Sequence, residues 1–217
     1  MDFEQARLNM VASQVRTWDV LDQSILDLLM VVKREDFVPD AYRDLAFADT
    51  QIPIGHGEFM LHPKLEARLV QSLTIKPDDK VLEVGTGSGY TTALLAHLAR
   101  EVVSVEIIPE FATAAMRRLR NHSLNNVTVE TGDAATGWSR GGPYDVILLT
   151  GSVPILPDEF KNQLAEGGRL LAVIGNRPAM TATLITRLQG QAFTTQSLFE
   201  TDIPALKNAR QPQKFVF

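Results

Sequence analysis

The spacing of apolar positions changes near residue 80. Before it, apolar residues recur every three or four positions. Leu8, Val11, Ala12 and Val15 fall on one face of a predicted helix. Ile25, Leu28, Leu29 and Val32 fall on one face of a second, with Asp22 as its N-cap. Pro39 closes that region. Residues 51–62 hold Pro53, Gly55 and Gly57 and read as a loop or hairpin. Pro63 suits the first position of a helix that turns Leu65, Leu69 and Leu73 inward. From residue 80 onward, short β-branched runs at 81–84, 102–105, 127–129, 146–149 and 170–174 alternate with helical patterns at 91–100, 109–121 and about 157–165. That rhythm predicts βαβ units and a parallel sheet with helices on both faces. Two strand-like runs around Gly190 predict an antiparallel hairpin that finishes the sheet. The expected fold is therefore α/β: doubly wound, with a mostly parallel seven-stranded sheet and an N-terminal helical elaboration. We read one domain, with the elaboration over 1–79, the α/β core over 80–206, and a polar, mobile tail from 207.

Composition narrows the function without changing this picture. The 217 residues are 45% hydrophobic and 22% charged, as in an ordinary globular protein. The absence of cysteine excludes a disulfide scaffold, a thiolate metal site and a cysteine nucleophile, and permits the cytoplasmic setting expected here. A net charge of −5 and the lack of any Lys/Arg run argue against a nucleic-acid partner. The first residues lack the pattern of a signal peptide, and no apolar stretch nears the roughly 20 residues of a membrane span. With no H-E-x-x-H and no cysteine, no metal is expected.

The candidate chemistry lies in 81–90, V-L-E-V-G-T-G-S-G-Y, which follows a predicted strand and opens a helix. Glycines let a backbone turn tightly and approach a ligand closely, and open α/β sheets bind ligands at the carboxyl ends of their strands. The dinucleotide fingerprint is G-x-G-x-x-G/A. Here the pattern is G-x-G-x-G, over Gly85, Thr86, Gly87, Ser88 and Gly89, and Tyr90 takes the place of the last small residue. Glu106 ends the next predicted strand, 21 positions after Gly85 and followed by Ile107, where a carboxylate can accept both hydroxyls of a ribose. Glu83, an acid in an otherwise apolar strand, calls for a partner, and a cationic ligand would supply one. Asp133, followed by Ala134, comes after the third core strand. Taken singly, Glu106 also reads as a solvated strand-end acid and Asp133 as a helix N-cap. Taken together with the loop, they point to an adenosyl ligand, S-adenosylmethionine.

The sequence resembles the protein-L-isoaspartate O-methyltransferase family over nearly its whole length. The resemblance rests on N-M-V at 9–11, R-E-D-F-V-P at 34–39, I-P-I-G-H-G at 52–57, the glycine loop, P-Y-D at 143–145 and L-x-x-G-G at 164–168. It implies a methyltransferase sheet with a helical cap. It also implies methyl transfer from S-adenosylmethionine to the carboxylate of isoaspartyl residues in damaged protein or peptide substrates, giving S-adenosylhomocysteine and, through a succinimide, repair. In methyltransferases the place of Asp133 meets the adenine.

One segment departs from the family. After P-I-G-x-G the family usually reads Q-T-I-S-x-P, with the Ser hydroxyl at the active site. Here Glu58, Phe59, Met60 and Leu61 stand in that place, with Leu61 at the Ser position. Glu58 brings a negative charge toward the expected place of an anionic substrate. Two readings of the acceptor follow: the isoaspartyl carboxylate, or a less polar small acceptor in a rebuilt pocket, which the changes at Glu58, Phe59 and Leu61 favour. A third reading is a non-catalytic S-adenosylmethionine-binding protein. The catalytic residue is left open. His56, His62 and Ser152 are candidates, against readings as exposed loop histidines and a turn-capping serine.

Overall fold

The computed structural model describes residues 2–212. The N-terminal part opens with α1 (Phe3–Met10), which Asp2 caps through its carboxylate. A wide turn and a tight turn then carry the chain to α2 (Gln23–Val31), capped by Asp22 as the sequence predicts. Ile25, Leu28, Leu29 and Val32 are buried. The first helix turns differently from its predicted face: Arg7, Met10, Val11 and Val15 go inward, and Leu8 and Ala12 face solvent. The buried Arg7 pairs with the buried Glu35, which places a charge where the apolar pattern puts Leu8. Residues 51–62 form a hairpin of β1 (Ile52–Gly55) and β2 (Glu58–Met60). Pro63 opens α3 (Pro63–Ser72), with Leu65, Leu69 and Leu73 inside.

The core then alternates β3 (Lys80–Val84), α4 (Tyr90–Leu98), β4 (Glu101–Glu106), α5 (Pro109–Asn121), β5 (Val127–Thr131), β6 (Tyr144–Leu149), the short α6 (Asp158–Asn162) and β7 (Leu164–Asn176). A hairpin of β8 (Ala179–Arg187) and β9 (Phe193–Glu200) ends the sheet. Strand order is β5-β4-β3-β6-β7-β8-β9, parallel as far as β7 and antiparallel after it. The predicted helix over 157–165 stops early, because Leu164 already pairs with Tyr144 as β7 begins. One apolar cluster joins the N-terminal helices, α3 and α4 to one face of the sheet, and a second covers the other face around Leu82, Ile147 and Phe160. From β3 the chain builds β4 and β5 on one side and then crosses to β6 on the other. The reversal opens a crevice at the carboxyl ends of β3 and β6.

Candidate functional site

The ends of β3 to β6, the β1–β2 hairpin and residues 204–207 enclose one cleft. The chain leaves β3 at Gly85 with φ of +97°, a conformation that favours glycine. A Cβ at Gly85 would stand 2.4 Å from Thr150 Oγ1. That hydroxyl lies 2.6 Å from the Gly85 carbonyl and 2.9 Å from the Val84 carbonyl, and ties the loop to the end of β6. Gly85, Thr86, Gly87 and Ser88 all line the cleft. Gly89 and Tyr90 lie behind it. A Cβ on Gly89 would come within 3.1 Å of Ala115 Cβ, so this glycine lets α4 start close against α5.

Glu106 lies on the cleft, only 5% exposed. Its Oε2 accepts the Gly87 N–H at 2.8 Å and its Oε1 accepts the Ile108 N–H at 2.9 Å. Each oxygen retains a further lone pair, so the carboxylate is fixed in orientation and still able to receive two neighbouring hydroxyls. Ile107, Asp133 and Ala134 continue the same wall. Asp133 caps a turn rather than a helix: Oδ1 accepts the Ala135 N–H at 2.9 Å, and Oδ2 accepts the Asn208 side-chain amide at 2.8 Å.

Glu83 is fully buried and does not reach the cleft. Its expected ligand partner is replaced by two hydroxyls, Thr92 Oγ1 at 2.5 Å and Ser104 Oγ at 2.6 Å, both donating to Oε2. Burial pushes its carboxyl up to about 8, beyond what those hydrogen bonds recover. Ser104 also meets Thr86 Oγ1 at 2.5 Å. Glu83 thus supports the glycine loop from beneath.

Glu66 is a cleft residue that the sequence reading passed over. It is buried, lines the cleft, pairs with the fully buried Arg34, and lies 3.4 Å from Thr91 Oγ1. Burial raises its carboxyl to about 7 against the opposing pull of Arg34. Arg34 also donates to the Leu61 carbonyl at 2.7 Å and to the Ala46 carbonyl at 2.9 Å, and so fixes the wall that follows β2. A signal existed in the sequence: Glu66 interrupts the inward face of Leu65, Leu69 and Leu73, and Arg34 opens R-E-D-F-V-P.

The catalytic candidates are not brought to the cleft. His56 and Gly57 form the hairpin turn with φ of +50° and +77°, and the His56 ring packs edge-on against Phe111 at 5.3 Å. His62 Nδ1 lies 3.1 Å from Asp49 Oδ1. Ser152 is buried and donates to the Ile203 carbonyl at 3.1 Å, which splices the end of β6 to the chain beyond β9. Leu61, Phe59 and Glu58 do line the cleft. The negative charge of Glu58 is answered by Lys207, whose Nζ lies 2.7 Å away. Residue 207 therefore does not begin a free tail: Lys207 and Asn208 bond to the rim and Ala209 is buried. Residues 213–217 of the predicted tail lie outside the described residues.

The glycine cradle, the oriented Glu106 and a lining that, among the described residues, sets Glu58, Glu106 and Asp133 against the one cation Lys207, with Glu66 answered by Arg34, suit a positively charged adenosyl ligand. Among the described residues no group of three or more His, Cys, Asp or Glu could hold a metal. Fold and cleft together define an α/β methyltransferase of the S-adenosylmethionine-dependent class. The sequence pattern of the family described as protein-L-isoaspartate(D-aspartate) O-methyltransferase (PCMT) matches residues 6–207. Protein-L-isoaspartate O-methyltransferase 1 of Rhodopseudomonas palustris (strain HaA2) is 39% identical over 186 residues, 85% of this chain and 76% of that protein. The protein-L-isoaspartate O-methyltransferase of Serratia proteamaculans (strain 568) is 38% identical over 192 residues, 88% of this chain and 91% of that one. The chain belongs to the protein-L-isoaspartate O-methyltransferase family. Two solved structures share the fold. A protein-L-isoaspartate O-methyltransferase matches with a TM-score of 0.80 at 24% identity, over 93% of this chain and 66% of that one. A Plasmodium falciparum protein assigned to the same family, crystallised with S-adenosyl-L-homocysteine, matches with a TM-score of 0.79 at 18% identity, over 95% of this chain and 99% of that one.

Proposed function

We propose that this chain methylates the α-carboxylate of isoaspartyl residues in damaged proteins and peptides, in a cytoplasmic setting, and that the cleft at the carboxyl ends of β3 to β6 holds the donor. The observation that carries this reading is the union, in one cleft, of the G-x-G-x-G cradle with a Glu106 fixed by two backbone N–H groups. When bound, S-adenosylmethionine supplies an electrophilic methyl group and a neutral thioether leaving group. The chain's own residues bind and orient. Gly85, Thr86, Gly87 and Ser88 cradle the methionyl end, Glu106 receives the ribose hydroxyls, and Ile107, Asp133 and Ala134 flank the adenine. Leu61, Phe59 and Ile54 exclude water where the acceptor enters, and transfer then depends on holding a carboxylate oxygen in line with the methyl group.

A second reading, a less polar acceptor, is favoured by the apolar wall of Ile54, Phe59, Leu61 and Phe111. Its electrostatic argument is weakened by the Glu58–Lys207 pair, which leaves little net charge at that rim. An isoaspartyl peptide assayed beside its aspartyl twin, with labelled S-adenosylmethionine, separates the two. Methylation of the isoaspartyl peptide alone is the expected result. Tight donor binding with neither peptide methylated would favour the second reading.

A further inference from the structure

The cleft is lined by four acids, and the acceptor proposed above is itself an anion. Among the described residues, Lys207 is the one cationic side chain on the lining. Arg34, the nearby buried guanidinium, is committed to Glu66 and to the carbonyls of Ala46 and Leu61. Leu61 offers the acceptor a methyl-bearing surface and no donor. The Thr150 hydroxyl is already directed at the Val84 and Gly85 carbonyls.

Position and partner make Lys207 available. The neighbouring Leu206 reaches to 3.6 Å from the place of a Cβ on Gly85, and Lys207 itself lines the cleft. The backbone there is fixed. Leu206 N–H donates to the Ser152 carbonyl at 2.9 Å, and Asn208 donates to Asp133 at 2.8 Å. The side chain itself is 42% exposed and that of Glu58 30% exposed, so both ends of the pair are open to an arriving chain. A solvated pair of this kind contributes little to stability and exchanges partners readily. Glu58 at the rim can be resolvated when its lysine leaves. A substrate carboxylate entering the cleft loses water and has a greater need of a charged donor.

We propose that Lys207 is the receptor for the substrate carboxylate: its ammonium moves from Glu58 to the isoaspartyl carboxylate as the peptide enters, and Glu58 acts as the resident stand-in that the substrate displaces. This rests on the isoaspartyl reading of the acceptor. It assigns specificity for an anionic acceptor to one lysine beyond the last strand, and makes Glu58 a competitor that lowers affinity.

Binding of a fluorescently labelled isoaspartyl peptide, followed by anisotropy in the presence of S-adenosylhomocysteine so that no turnover occurs, tests this directly. Lys207→Met is expected to weaken peptide binding roughly tenfold or more, the effect of a lost hydrogen bond to a charged group. Lys207→Arg should bind within a few-fold of the parent, and Glu58→Gln should bind more tightly. The gain from Glu58→Gln should vanish in the Lys207→Met background, because the two residues act on one carboxylate. Circular dichroism and S-adenosylhomocysteine calorimetry on each variant show whether the fold and donor site persist. Equal peptide affinity in the parent and in Lys207→Met, with the parent methylating the peptide, would overturn the role of Lys207 and leave the isoaspartyl reading standing. A parent protein that neither binds nor methylates the peptide would overturn both.

Discussion

Glu83 is the residue whose chemistry departs furthest from its sequence appearance. An acid inside an apolar strand invites a ligand partner, and the structure answers it with two hydroxyls and a raised carboxyl at about 8. In the unfolded chain the same group titrates near 4.5. Below that value both states hold the proton and it has no effect on stability. As pH rises through 4.5 the unfolded state releases its proton while the folded state keeps it, so stability falls until about pH 8, where both are ionised. Glu66, raised to about 7, acts in the same direction. Glu83→Gln keeps a carbonyl acceptor for Thr92 and Ser104 and removes the titration. Urea unfolding at pH 5, 7 and 9 should show the variant gaining on the parent as pH rises, by about 1.4 kcal/mol per unit at most across that window. A constant difference across the three pH values would show that Glu83 does not hold its proton in the folded state. Among the other residues, Glu106 and Asp133 were legible because each sits at a strand end at a fixed distance from the loop. Glu66 and Lys207 were not, because their importance depends on elements far apart in sequence: residue 34 for one and residue 58 for the other.

The loop between β3 and α4 shows why some elements were legible to the residue. Its glycines are dictated by backbone geometry and by what a side chain would meet, both local enough to leave a motif. Gly85→Ala should impose a left-handed conformation on an L-residue and drive a Cβ into the Thr150 hydroxyl, 2.4 Å away. We expect a loss of about 2–4 kcal/mol of stability, from the backbone and the overlap together, and loss of S-adenosylhomocysteine binding by calorimetry. Gly57→Ala is the control. Its φ of +77° is also unfavourable, but nothing lies within 4 Å of the new Cβ. It should cost only about 1–2 kcal/mol and leave calorimetric binding in place. The β-strands and α5 were read well from β-branched runs and from a strong apolar face. The end of α6 was missed because β7 begins two residues after it, where an apolar position serves either element. The face of α1 was missed because a buried Arg7–Glu35 pair defeats a count of apolar residues.

At the scale of the whole molecule, the donor site gathers segments from 54 to 207, so its occupancy is coupled to global stability. A ligand at 100 times its Kd should stabilise the fold by about 2.7 kcal/mol. For a chain of this size that is a rise in Tm of about 5–11 °C. Thermal scans with S-adenosylhomocysteine should show it, Glu106→Ala should shrink it at equal ligand concentration, and NADH should produce none. An equal shift from NADH would contradict the donor assignment. The α/β class and the parallel sheet were legible from alternation alone. The closing of the cleft by residues 203–209 was not, since a polar stretch after the last strand carries no periodicity to announce that it packs.

That closing stretch also sets an order of events. The glycine loop, Glu106 and Asp133 all lie between residues 85 and 133, whereas Ser152 can meet Ile203 and Pro204 only after β7, β8 and β9 have been laid down beside β6. During synthesis the donor half of the cleft therefore emerges about seventy residues ahead of the lip that receives the acceptor. The segment that closes the cleft is thus the last part of it to be made, and its return to the end of β6 completes a wall that the earlier strands cannot close by themselves.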